Sequence, residues 1–256
     1  MSRTALTDSL WQQLQWIMTS KGCKKSANNR NVMEAILWKL RTGAQWREVP
    51  KEFCPWKTAF NRFNRWAQKG LWDEFFFALR KEADTEWIFI DGSYIRAHQH
   101  ASGARRGEYR AIGTSRGGPT TKIHMAADAH GNPLYIEITG GQVHDSQVAG
   151  QLIDQVSGEH LVADKGYDSE EIREKARTKN MVPVIPKRSN SKTPNPEFDR
   201  HIYKNRHVVE NLFARLKHFR SIATRFEKLA RNFKSVLMFA CTIIWLKLQP
   251  AAGPVK

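Results

Sequence analysis

Three acidic residues in this sequence stand where carboxylates can do chemistry. Asp91 closes the run "WIFID" and Asp164 closes "HLVAD", each an apolar, strand-like segment that ends in an acid. Open α/β sheets place their ligands outside the carboxyl ends of strands, which is where both acids are expected. Gly92 and Gly166 follow within two residues and are expected to let the chain turn away, leaving each carboxylate at the sheet edge. Two carboxylates a few ångströms apart repel, and a pKa rises unless a cation lies between them. Hard oxygen ligands of this kind suit Mg2+, which keeps several waters and accepts one or two carboxylates plus substrate phosphate. Glu210 is the third candidate. Three acids around two metal ions about 4 Å apart are the parts for in-line phosphodiester chemistry. Each acid also has a plainer use: an Asp at a strand end caps a helix or forms a turn, and a Glu on a helix face is solvated.

Glu210 lies in "YKNRHVVENLFARLK", residues 203–217. Val209, Leu212, Phe213 and Leu216 recur at the helical interval, which predicts an amphipathic helix docked on a core. At 100° per residue, Tyr203, Arg206, Glu210 and Lys217 fall within about 60° of one another and form a polar stripe beside the apolar one. Arg206 and Lys217 are candidates for phosphate contact. Tyr203 is a candidate for contact with phosphate or a displaced base. His98, His100, His124 and His144 match no common metal-site spacing and are set aside as ligands.

These residues need a scaffold, and the texture of the chain supplies one. Residues 1 to about 80 read as helices: "LWQQLQWIMTS" capped by Asp8 or Ser9, "NNRNVMEAILWKLRTG" ended by Gly43, "KTAFNRFNRWAQKG" stopped by Gly70, and "LWDEFFFALRKEA". Helix, turn and basic helix in the middle allow a helix-turn-helix DNA reader, with Lys57, Asn61, Arg62, Asn64 and Arg65 on the candidate face. A merely solvated polar face is the plainer alternative. Trp46, Trp56, Trp66 and Trp72 are expected in the core. From residue 86 the pattern becomes β-β-β-α-β-α-β-α, which predicts a mixed α/β sheet with antiparallel strands first. "DAHGN" marks a hairpin, and Asp145 or Ser146 is expected to cap the helix that follows. Residues 97–119, with Arg105, Arg106, Arg110 and Arg116, and residues 187–199 read as loops. The arginine loop is a candidate for DNA-backbone contact.

The chain's charge bounds its partners. It carries 41 Lys and Arg against 25 Asp and Glu, a net +16. An excess this large points to a polyanion, with nucleic acid ahead of a membrane surface. Three scattered cysteines suit neither a disulfide framework nor a zinc site and fit a reducing cytosol. The N-terminus lacks a signal peptide's apolar core, and the run Val236–Leu246 is too short to cross a bilayer. A buried C-terminal helix, no membrane partner and a cytoplasmic, nucleoid-associated location are the expectations.

The motifs "DGSYIRAH", "GTSRGGPTTKIHM", "VADKGYDS" and Y-x2-R-x3-E-x6-K in residues 203–217 resemble the DDE transposases of bacterial insertion sequences. The group resembled most is the family named for insertion sequence five. Its leading domain is similar to "LWKLRTGAQWREVPKEFCPWKTAFNRFNRW", so the resemblance covers most of the chain. It implies an RNase H-like mixed sheet with flanking helices over residues 83–256, preceded by a small all-α, helix-turn-helix-like DNA-binding domain over residues 1–82. It implies Asp91, Asp164 and Glu210 as catalytic and metal-binding residues. Two Mg2+ ions are the implied cofactor, with Mn2+ able to substitute. The implied partners are double-stranded DNA, both the terminal inverted repeats and the target, and a second copy in a synaptic homodimer. The implied activity is metal-dependent cleavage of element ends and joining of their 3′-OH groups to target DNA. A related nuclease that cuts without joining and a non-catalytic DNA-binding remnant are the alternatives.

Overall fold

The computed structural model describes residues 5–80, 83–103, 109–196 and 198–248, which divide into two compact units. The helical unit comprises residues 5–80, 98–103 and 216–248, and the sheet unit residues 83–97, 109–196 and 198–215. Residues 98–103 and 216–248 thus pack with the N-terminal helices rather than with the sheet. The last helix, Ala230–Leu248, groups with the N-terminal helices because it packs on those at Trp56–Gln68 and Leu71–Leu79.

In the helical unit, α1 (Asp8–Ser20), α2 (Asn29–Thr42), α3 (Trp56–Gln68) and α4 (Leu71–Leu79) are the four helices read from periodicity. The cap of α1 is Thr7, whose hydroxyl accepts from the Leu10 N–H, rather than Asp8 or Ser9. Gly43 ends α2 in the left-handed conformation, as expected. The α2–α3 connection runs over residues 43–55 and includes a 3-10 turn at Trp46–Glu48. That is longer than the three- or four-residue turn of a compact helix-turn-helix. Trp72 is fully buried, with its ring centroid 4.9 Å from Phe239 and 5.4 Å from Phe63. Phe239 lies on the C-terminal helix Ala230–Leu248, in which residues 236–246 are all buried. Among the described residues no helix is long and apolar enough to cross a membrane.

The sheet unit holds β1 (Trp87–Ala97), β2 (Gly113–Ser115), β3 (Gly118–Ala127), β4 (Pro133–Gly140), β5 (His160–Val162) and β6 (Val182–Val184). β3 pairs antiparallel with β1, β2 and β4, while β5 runs parallel to both β1 and β6. This is the mixed α/β sheet that the pattern predicts. Part of the expected 97–119 loop is a hairpin, β2 turning into β3. The "DAHGN" turn joins β3 to β4: Asp128 accepts from the His130 and Asn132 N–H groups, and Gly131 takes φ +75°. Helices α5 (Asp145–Asp154) and α6 (Glu170–Thr178) pack on each other, and α5 also packs on β1, β3 and β4. The cap of α5 is His144, which accepts from the Ser146 N–H.

The predicted helix over 203–217 is two helices. α7 (Arg200–Lys204) ends at Asn205, and α8 (His207–Lys217) begins after Arg206. Bonds from Asn205 N–H to Ile202 O and from Arg206 N–H to Tyr203 O close the joint with i→i+3 geometry. The apolar periodicity runs through this joint unbroken, so it leaves no trace in the residue pattern.

Candidate active site

Asp91 lies in the middle of β1, not at its end. The strand continues through Gly92 to Ala97, and Asp91 pairs with Met125 of β3 without a register break. Gly92 therefore does not turn the chain away. Asp164 follows β5 directly, and its Oδ1 accepts from the Gly166 N–H at 2.8 Å, capping the 3-10 turn Lys165–Tyr167. The parallel register couples the two acids. Phe89 pairs with Val162, and Asp91 and Asp164 each lie two residues further on. Period-two alternation brings both side chains out on the same face of adjoining strands, whose backbones are about 4.8 Å apart.

The third acid arrives through a guanidinium. Arg206 donates from Nη1 to Asp91 Oδ2 at 3.1 Å and from Nη2 to Glu210 Oε1. The pair Arg206–Glu210 spans four residues across the start of α8, the spacing at which helical side chains meet. The Asp91 and Arg206 side chains are 18% and 23% exposed against 52% for Glu210, so the cluster has an inner and an outer end. Burial pushes the Asp91 carboxyl up to about 6; the Gly92 N–H and Arg206 oppose the rise, and the charges of Asp164 and Asp145 add to it. Tyr167, buried beside these acids, has no hydrogen-bond partner for its hydroxyl. Burial, then the charges of Asp145, Asp91 and Asp164, hold its phenol protonated far above the ordinary range. Among the described residues no group of three or more His, Cys, Asp or Glu side chains converges closely enough to hold a metal ion. The guanidinium of Arg206 is the cation shared by Asp91 and Glu210.

The other candidate residues are spread along the chain. Tyr203, on α7, is half-buried with its ring 5.2 Å from that of Phe198. Lys217 is exposed at the last residue of α8. On α3, Lys57 and Arg65 are exposed, whereas Arg62 is half-buried and donates to Asn29. Arg110 is half-buried and Arg116 is exposed on the β2–β3 turn. Arg105 and Arg106 lie outside the described residues.

Sequence reasoning missed a second buried group near Asp91. Lys122, 4% exposed at its side chain, pairs with Asp145. His124, fully buried, has Nδ1 3.1 Å from Asp145 Oδ1, though not aligned as a hydrogen bond. Its Nε2 lies 2.8 Å from Thr139 Oγ1. Burial opposes ionisation of Asp145, but His124 and Lys122 outweigh it and hold the carboxyl below its usual range. One signal was available: a lysine inside "TTKIHMAA" lies in a strand too apolar to leave an ammonium unpaired.

Residues 82–245 match the family model described as the transposase DDE domain, and residues 6–76 match one for transposases of the IS4/5 family. The chain is 36% identical over 133 residues to the transposase assigned to insertion sequence element IS6501 of Brucella ovis, covering 50% of this chain and 99% of that one. It is 36% identical over 151 residues to the one assigned to IS402 of Burkholderia cepacia, covering 54% and 69%. Among solved structures, a piggyBac transposase synaptic complex with hairpin DNA aligns at a TM-score of 0.39 and 13% identity. The alignment spans 73% of this chain and 50% of that one. With the transposase DDE domain matched over well more than half of its residues, the chain belongs to the DDE transposases of bacterial insertion sequences.

Proposed function

We propose that this transposase binds the terminal inverted repeats of its element, hydrolyses a phosphodiester at each end, and joins the freed 3′-OH groups to target DNA. Asp91, Asp164 and Glu210 are the catalytic acids, on a sheet unit of RNase H-like type. The observation that supports the reading is the bridge of Arg206 from Asp91 on β1 to Glu210 on α8. Three carboxylates are hard oxygen donors of the kind a divalent cation, Mg2+ or Mn2+, takes, and burial, which raises the Asp91 carboxyl, makes its anion costly there without a cation. When bound, a metal pair supplies an activated attacking oxygen and a stabilised leaving oxygen.

The chain's own residues do the rest. Arg206 presents a planar fork that fits phosphate as well as carboxylate. Handing that fork to a DNA phosphate frees Asp91 Oδ2 and Glu210 Oε1 together. Lys217 contributes a second positive charge at the far end of α8. Lys57 and Arg65 on α3, and the arginines of residues 105–116, contact DNA backbone, while Arg62 is held by Asn29. Two ends are joined in one reaction, so a homodimer assembles on DNA. The location that follows is the bacterial cytoplasm, at the nucleoid.

Glu210→Gln tests the assignment. The variant keeps the shape and Arg206 as a neighbour, so binding to an end-containing duplex is retained in a gel-shift assay. Nicking with Mg2+ is abolished. Cleavage at the wild-type rate by Glu210→Gln removes Glu210 from the site, and wild-type protein that nicks but never joins pre-cut ends to target DNA is a nuclease instead.

A further inference from the structure

Gly92 follows Asp91 in β1, and the space beside it is taken. A Cβ at residue 92 would lie 2.1 Å from Asp145 Oδ1 and 3.1 Å from Lys122 Cε, so any larger residue must displace the Asp145 carboxylate. The register explains the crowding. Gly92 pairs with His124 and Tyr94 with Lys122, which puts all four on one face of the sheet, while Asp91 and its partner Met125 point to the other. Asp145 is the first residue of α5 and enters this face from above Gly92. Lys122 bonds one carboxylate oxygen and His124 Nδ1 packs 3.1 Å from the other; Lys122 also lies 4.7 Å from the Tyr94 ring centroid, and His124 is fixed in turn by Thr139. A buried ion pair adds little net stability compared with apolar residues of the same volume, so stability alone is a weak reason for this one.

We infer that Asp145 is a positioning residue: pinned by Lys122 and His124, its carboxylate buttresses the backbone at Gly92 from behind and sets where the Asp91 carboxylate sits. This rests on the reading of Asp91 as a catalytic acid. The buttress works by contact, through the planar group that rests on the glycine.

Deleting Asp145 alone strands a buried ammonium, so the test uses pairs. Asp145→Ala with Lys122→Met removes the buttress and leaves no unpaired charge. It is expected to unfold cooperatively and keep the wild-type KM for end DNA, while kcat for nicking falls by about 100-fold, the penalty of misplacing a reacting group by about 1 Å. Asp145→Asn with Lys122→Met restores the planar group without the charge and is expected to recover most of that kcat. Gly92→Ala, which pushes the buttress away by one methyl, gives the same kcat loss at unchanged KM. Wild-type kcat in the Ala/Met pair overturns the proposal; if that pair does not fold, wild-type kcat in Gly92→Ala does so instead. Asp91→Asn is the separate control: nicking by that variant defeats the reading of the site, whatever the Asp145 variants do.

Discussion

At the scale of single residues, the candidate site centres on an acid whose burial makes its charge costly. Asp91 titrates at about 6, chiefly because it is buried. An unfolded aspartate titrates near 3.9, so between about pH 4 and 6 the folded chain binds the extra proton. Stability therefore falls as pH rises through that window, and above it the full cost of the charged Asp91 is present. Asp91→Asn removes the cost. In chelator, the variant is expected to melt above wild type at neutral pH, by up to about 3 kcal/mol, the difference closing as pH approaches 4. Loss of one Arg206 acceptor trims the gain. A difference in melting that does not vary with pH would mean that Asp91 is not the strained acid. Asp91, Asp164 and Glu210 were legible in the sequence as candidate acids, but the buried pair Lys122–Asp145 was not. Its members are far apart in sequence, and only the sheet brings them together.

At the scale of elements, periodicity carried most of the information. The four N-terminal helices, the "DAHGN" hairpin and the apolar stripe of α8 all lie where spacing put them, since burial of one face is a local property of sequence. Caps slipped by a residue or two, at Thr7 and His144, because which side chain accepts depends on backbone angles that composition does not encode. Gly92 was misread for a related reason: glycine serves close approach as readily as turning, and only the neighbour across the sheet tells which. Gly131 serves both. It holds φ +75° in the β3–β4 turn, and a Cβ there would come 2.7 Å from Val208 Cγ1, on the first turn of α8. Gly131→Ala is expected to cost more than about 1 kcal/mol from the left-handed backbone alone, and to slow nicking further by displacing the helix that carries Glu210. Chemical denaturation and a nicking assay on the same sample check both; unchanged stability would show that the turn and α8 tolerate the methyl.

At the scale of the whole molecule, charge decides what the chain meets first. A net +16 predicts affinity for duplex DNA that falls steeply with salt, since each phosphate neutralised releases counterions. Which cations make those contacts is a matter of exposure and prior engagement. On α3, Arg62 donates to the buried Asn29, whereas Lys57 and Arg65 face solvent. The middle arginine of α3 is thus tied to its own fold, and the DNA contact proposed for this helix rests on the two exposed residues. Lys57→Ala combined with Arg65→Ala is expected to flatten the plot of log affinity against log salt by about 1.8, from two lost contacts at about 0.9 each. The melting temperature should stay near that of wild type, because neither side chain covers the core. Fluorescence anisotropy across a salt series measures the slope. If the double variant keeps the wild-type slope, α3 is a solvated face, and the charge that meets DNA lies elsewhere on the chain.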